Sequence, residues 1–148
     1  MSSSKDKAAD PLDEFQDRPS FHIVVPVEDL IGAQRFYIDT LGCVSRSSQD
    51  DNFSFDFFGY SITAQRVTPK SYMKPTIPIR GRDVTLPYFG LVLGWDDWHR
   101  AIDHMAYIGV DLAIPPAVTT VGDESLASFF LEDLSANFLE FKAFRIIS

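Results

Sequence analysis

The chain has 148 residues, with 13 Lys plus Arg against 21 Asp plus Glu, a formal net charge of −8. That acidic balance argues against nucleic acid, whose binders need a basic footprint; the single Cys excludes an intramolecular disulfide framework and a Cys-based zinc site; and no apolar run reaches the roughly 18–20 residues that span a bilayer. Thirteen Phe in a chain that is 45% hydrophobic imply a well-filled core.

Residues 1–18, MSSSKDKAADPLDEFQDR, carry eight charges and little apolar surface, so they read as a solvated acidic tail. They have no apolar stretch of the secretory kind, and a cytoplasmic location is the expectation. The remainder, 19–148, is enough for one domain. FHIVVPV (21–27) is β-branched, short and ended by Pro26 and the acidic pair Glu28-Asp29, which predicts a strand. Asp29 is placed to cap a helix over LIGAQRFYIDTLG (30–42), whose Leu30, Ala33, Phe36, Tyr37 and Leu41 share a face and whose Gly42 stops it. CVSRSS (43–48), NFSFDFFG (52–59) and YSITAQRV (60–67) read as strands, with a tight turn at Gly59-Tyr60.

A linker over 68–86 follows, rich in proline and without a period, which predicts an irregular loop. Its Lys70, Lys74, Arg80 and Arg82 read as solvated charges, with a lid over an anionic substrate as the other possibility. Then the first pattern returns. YFGLVLG (88–94) is an apolar strand, Asp96-Asp97 opens a helix that runs to Gly109, and VDLAIPP (110–116) is a strand ended by prolines. SLASFFLED (125–133) and NFLEFKAF (137–144) are two further strands. Asp29 and Asp96 are 67 residues apart, as are Gly42 and Gly109. The order β-α-β-β-β occurs twice, so we expect a duplicated supersecondary unit, with modules at about 20–67 and 87–144.

These residues resemble the vicinal oxygen chelate superfamily of glyoxalase, bleomycin-resistance and extradiol dioxygenase proteins, and within it the short extradiol dioxygenase-like proteins. RFYIDTLG matches the FYxxxLG helix ending of that superfamily. PYFG stands where PHFG is usual. LEDLSANFLEFKAF matches its final strand pair, with Leu134 and Ala136 in place of the usual Pro and Gly of a DPxGN turn. The resemblance implies an α+β fold in which two βαβββ modules form a curled mixed sheet around a cleft, with helices on the convex side.

It also implies a divalent metal (Fe, Mn, Ni or Zn) held by His22, Gln65, Tyr88 and Glu140. Tyr88 and Gln65 depart from the His often found there, and a phenol, with an ordinary pKa of about 10, is a poor ligand at neutral pH. His22 and Glu140 can also be remnants in a metal-free cleft. The resemblance suggests a metal-dependent enzyme with dioxygenase-like or glyoxalase-like chemistry on a substrate with neighbouring oxygens; in the glyoxalase-like case Glu140 moves a proton next to a carbonyl, and Tyr60 or Tyr88 donates to the developing oxyanion. Tyr60 and Phe138 are the expected substrate contacts. The alternative is a non-catalytic protein that sequesters a small aromatic or anionic compound in the same cleft. His99 and His104 fall on the second helix, away from the cleft. The small size, the superfamily and the aromatic excess point to a homodimer acting on a small molecule.

Overall fold

A computed structural model describes residues 19–68 and 74–147. The first module begins with β1 (His22–Val27), where alternation sends Val25 and Val27 into the core and leaves His22 and Val24 on the open face. Asp29 caps the next helix, its carboxylate accepting from Ile31 N–H at 3.1 Å. This helix, α1 (Leu30–Gln34), continues as a π-helical turn over Arg35–Thr40, closed by Leu41 N–H donating to the Phe36 carbonyl five residues back. β2 (Val44–Ser48), β3 (Asn52–Phe57) and β4 (Tyr60–Arg66) complete the unit. The turn between β3 and β4 is Phe58-Gly59, one residue earlier than expected. Both residues have positive φ, 52° and 93°, as a two-residue hairpin of matching twist requires.

The linker is not irregular throughout. It contains a hairpin of β5 (Thr76–Ile79) and β6 (Arg82–Thr85), turning at Arg80-Gly81. Proline hid it: Pro78 sits within β5, and a two-stranded ribbon has free edges that tolerate a missing N–H.

The second module runs β7 (Phe89–Leu93), α2 (Trp95–Ile108), β8 (Ile114–Val121), β9 (Glu124–Glu132) and β10 (Phe138–Ile146). Gly94, not Asp96, caps α2. Asp96 and Asp97 lie in its first turn, where negative charge meets the positive end of the helix dipole. Gly109 ends α2 at φ 79°, with Val110 N–H reaching back to the Met105 carbonyl. β8 corrects the reading of 110–116: the strand starts at Ile114 and passes through the prolines. Register slips between Ile114 and Ala117 because Pro115 and Pro116 cannot donate to the ladder, and β8 is an edge strand, where this is tolerated.

Each module forms one four-stranded mixed sheet, in the orders β1-β4-β3-β2 and β7-β10-β9-β8. The pairs β1/β4 and β7/β10 are parallel and the rest antiparallel. The α+β architecture of paired βαβββ modules is therefore as the sequence pattern implied. One core joins the modules on the helix side, from Val27, Tyr37, Phe55 and Phe57 in the first to Trp98, Phe129, Leu139 and Phe141 in the second. Phe57 packs edge-on against Phe89 and Phe141 across the junction, at 5.5 and 6.4 Å between centroids. A smaller cluster of Val84, Ile114, Phe130 and Phe138 lies where the hairpin covers the open face of the second sheet.

The Asp133–Asn137 turn also joins the modules. Asp133 is 5% exposed and its two oxygens accept four hydrogen bonds: from Ser135 N–H and Asn137 N–H (both 2.8 Å), Asn137 Nδ2 (2.9 Å) and the Tyr37 hydroxyl (2.7 Å). Asn137 Nδ2 also reaches the Pro26 carbonyl at 2.7 Å, and Ser135 Oγ accepts from Glu28 N–H at 2.9 Å. Asp133 and Asn137 thus fasten the last turn of one module to the first strand and helix of the other. Ala136 holds φ 63° where the motif usually has Gly.

Candidate functional site

The open face of the second sheet carries the one cluster of candidate residues that the fold assembles. Glu140 stands on β10, on the face opposite Leu139 and Phe141. It is only partly buried. Ser128 on β9 donates its hydroxyl to Glu140 Oε2 at 2.7 Å, and the Tyr88 phenol, just before β7, hydrogen-bonds the same carboxylate. Burial, then the Glu140 charge and this hydrogen bond, push the Tyr88 phenol above its ordinary pKa. It therefore stays protonated at neutral pH, a donor and not a phenolate. Its ring is held edge-on against Phe130 at 5.2 Å. A groove of about 180 Å³ opens here, lined by Tyr88, Gly90, Val92, Glu140 and Lys142 among others.

Gly90 explains how β7 lies so near the backbone of β10 at Glu140. A Cβ at this position would sit 1.7 Å from the Glu140 carbonyl oxygen, so only glycine allows the approach. Ser128 was not singled out in the sequence. A serine within SLASFFLED carries no motif, and only the pairing of β9 with β10, which sets Ser128 opposite Lys142, lets its hydroxyl reach Glu140 diagonally.

The other expected site residues lie elsewhere. His22 is exposed at the start of β1, paired in register with Ser61. It makes no hydrogen bond or ion pair among the described residues. Gln65 pairs with Pro26, four residues further along, roughly 13 Å at 3.3 Å per residue. Its amide is engaged with Asn52 Nδ2, the Asp51 carbonyl and carboxylate, and the Arg66 carbonyl. Tyr60 is half-exposed at the mouth of a second, apolar groove of about 380 Å³ between β1 and β7. Phe138 is 2% exposed and its ring lies under Arg82, 5.4 Å from the guanidinium carbon. It packs as core beneath the hairpin and offers no surface to a substrate.

The implied metal can be judged on these donors. Among the described residues no group of three or more His, Cys, Asp or Glu side chains could hold an ion. Of the four implied ligands the fold joins only Tyr88 and Glu140, and there a neutral phenol and a serine hydroxyl already donate to the one carboxylate. Within one chain this donor set does not fit a resident divalent metal.

The linker cations are not all solvated. Arg80 donates to the Pro115 and Ser128 carbonyls at 2.8 and 3.3 Å, and Arg82 to the Ala113 carbonyl and the Glu132 carboxylate. They take carbonyls around the β8 irregularity. Lys74 donates to Asn137 Oδ1 at 3.1 Å, and Lys70 lies outside the described residues, as does the tail over 1–18. His99 and His104 are exposed on α2, as expected. No helix among the described residues is long and apolar enough to cross a membrane.

The fold is shared with known structures. A glyoxalase/bleomycin resistance protein/dioxygenase from Alicyclobacillus acidocaldarius is 25% identical, with a TM-score of 0.69 over 85% of this chain and 91% of that one. The fosfomycin resistance protein FosX from Listeria monocytogenes is 16% identical, with a TM-score of 0.60 over 85% and 93%. A virulence protein from Salmonella typhimurium is 18% identical, with a TM-score of 0.56 over 86% and 96%. No family model matches the sequence, and neither does any curated protein. The chain thus shares the fold of these glyoxalase, bleomycin-resistance, dioxygenase and fosfomycin-resistance proteins.

Proposed function

We propose that this protein binds a small carbonyl compound at Glu140 and moves a proton on the carbon next to the carbonyl, as a cytoplasmic homodimer. The observation that carries the reading is the Glu140 carboxylate held between the Ser128 hydroxyl and the Tyr88 phenol at an open groove. Ser128 fixes the carboxylate. Glu140 takes the proton, and Tyr88 turns its hydroxyl to the substrate oxygen as negative charge develops there. Two hydroxyl donors and one carboxylate suffice for this step. A second reading has support of its own: Tyr88 and Gln65 stand where the resemblance implies His, which favours a protein that binds its ligand without turning it over.

The two separate in one experiment. Small ketones, hydroxyketones and 2-oxo acids are incubated with the protein in deuterated buffer, and NMR follows both binding and deuterium uptake at the carbon beside the carbonyl. The enzyme reading expects uptake that falls about 10²–10⁴-fold in Glu140→Gln and about 10²-fold in Tyr88→Phe. Binding without uptake would establish sequestration instead. Homodimerisation is read by light scattering, at about twice 16.7 kDa.

A further inference from the structure

A groove of about 380 Å³ lies on the helix side of the molecule, where the β3–β4 turn of the first module meets α2 and β7 of the second. It is separate from the Glu140 site: Phe141, part of its lining, faces the core, and Glu140 stands on the opposite face of β10. The lining reaches the core itself, since Phe141 is 2% and Met105 6% exposed. Leu91 and Leu93 share one face of β7 and stay only partly buried, because the groove opens beside them. Ala101 is why there is space. On α2 it sits one turn from Asp97 and one turn from Met105, so the three share a face, and a methyl group is all that the helix offers between the other two.

Two further observations point to a ligand. The first is Phe58, which lines the groove from the β3–β4 turn. It holds φ 52°, a conformation that suits Gly or Asn and that a bulky side chain rarely adopts. Its ring is 59% exposed, so burial does not explain the choice. Edge-on contact with Phe57, at 5.0 Å between centroids, keeps the ring at the groove. The second is the rim. α2 places Asp97, Arg100 and His104 there, and Arg100 donates to the Asp97 carboxylate. The ion pair sums to zero, the imidazole adds a further hydrogen-bonding group, and no other Asp, Glu, Lys or Arg among the described residues lines the groove. An aliphatic interior therefore opens under a rim that has donors and acceptors but no free counter-charge.

We infer that this groove binds a neutral amphiphile: a medium-length alkyl chain lies along Leu91, Leu93 and Met105, and an uncharged hydrogen-bonding head meets Asp97, Arg100 and His104. The unbranched thioether of Met105 adapts to a flexible chain. The volume suffices, since an apolar cavity of about 150 Å³ takes benzene and small-molecule sites begin at about 300 Å³. A charged head would have to break the Asp97–Arg100 pair or give up its hydration without a partner.

The test titrates butanol, hexanol and octanol into the full chain and reads binding from the methyl NMR signals of Ala101 and Met105. Each step adds two methylenes and should tighten binding about tenfold. Octanoate and octylammonium should bind at least about tenfold more weakly than octanol. Ala101→Phe fills the groove and should abolish octanol binding. Phe58→Asn gives the turn its preferred Asn-Gly sequence, so it should keep or raise the melting temperature while weakening octanol by about three- to tenfold. That variant decides the question where Ala101→Phe does not fold. No saturable shift at Ala101 and Met105, affinities that do not rise with chain length, or octanol affinity unchanged in Phe58→Asn would overturn the inference. Octanoate or octylammonium bound as tightly as octanol would overturn the neutral head, and the ligand class with it.

Discussion

Tyr37 shows how much one hydroxyl can carry. Its ring is fully buried and stacked on Phe55 at 4.7 Å, and its hydroxyl donates to Asp133 across 96 residues of chain. Tyr37→Phe keeps the ring and removes the bond, so urea denaturation should show a loss of about 1–3 kcal/mol. Burial first, then the Asp133 charge, raise the Tyr37 phenol well above its usual 10. The sign follows. The folded state holds the proton more tightly than the unfolded chain, so this stabilisation is complete below pH 10 and declines as pH rises from there toward the folded value. Tyr37→Phe should therefore flatten the alkaline limb of the stability curve. A limb as steep in the variant as in the parent would mean that another group governs it.

Gly90 makes a second prediction at this scale. Gly90→Ala places a methyl against the Glu140 backbone, which must move. We expect about 1–3 kcal/mol of destabilisation together with loss of ligand binding at Glu140, because the displaced backbone is the one that carries the carboxylate. A variant that binds normally would show that β7 and β10 separate without disturbing the groove.

Between elements, the β5–β6 hairpin is the part of the fold least visible in the sequence. Period-2 alternation is hard to see in four-residue strands that contain Pro78 and have mostly exposed side chains. What holds the hairpin is tertiary: Val84, with no exposed surface, and the Arg80 and Arg82 guanidinium groups on carbonyls of the second sheet. Because Arg80 also bonds the Ser128 carbonyl, the hairpin braces the strand that presents the Ser128 hydroxyl to Glu140. Arg80→Ala with Arg82→Ala should release the hairpin, seen as faster proteolytic cleavage within 74–88 while the far-UV spectrum is kept. Unchanged cleavage would mean that Val84 alone suffices. Apart from β8, which runs on through the prolines expected to end it, the other elements were legible because both long-range pattern and local chemistry agreed on them. Val25 and Val27 on β1, Leu139 and Phe141 on β10, and the Gly109 stop were all placed by alternation or by a single special residue. The site was legible only in part. The resemblance put Tyr88 and Glu140 together, and they are together. It also put His22 and Gln65 with them, and strand register, which sets Gln65 four residues beyond the His22 pair, does not. Ser128 had no signature at all.

Across the whole molecule, the duplication explains the arrangement. Each module covers one face of its sheet with a helix and shares that core with its sibling, while the opposite faces stay open except where the hairpin lies. β1 and β7 are the inner edges, and each has one unpaired side. Phe21, Val24, Tyr60 and Val92 stand exposed around them. At micromolar concentration light scattering should report the dimer, and Val24→Lys with Val92→Lys should shift it to monomer. A parent protein that is already monomeric would contradict the dimer and leave the groove at Glu140 within one chain.

In the proposed function Glu140 is the working carboxylate of a small-molecule groove. Its most direct test is the NMR signal of the Glu140 side-chain carboxyl carbon in selectively labelled protein, followed while small 2-oxo acids and hydroxyketones are added in turn. We predict that this signal shifts in step with the backbone amides of Tyr88, Gly90 and Lys142, with one affinity, and that Tyr88→Phe weakens the shift. A saturable ligand that moves amides elsewhere in the chain and leaves the Glu140 carboxyl carbon in place would contradict it.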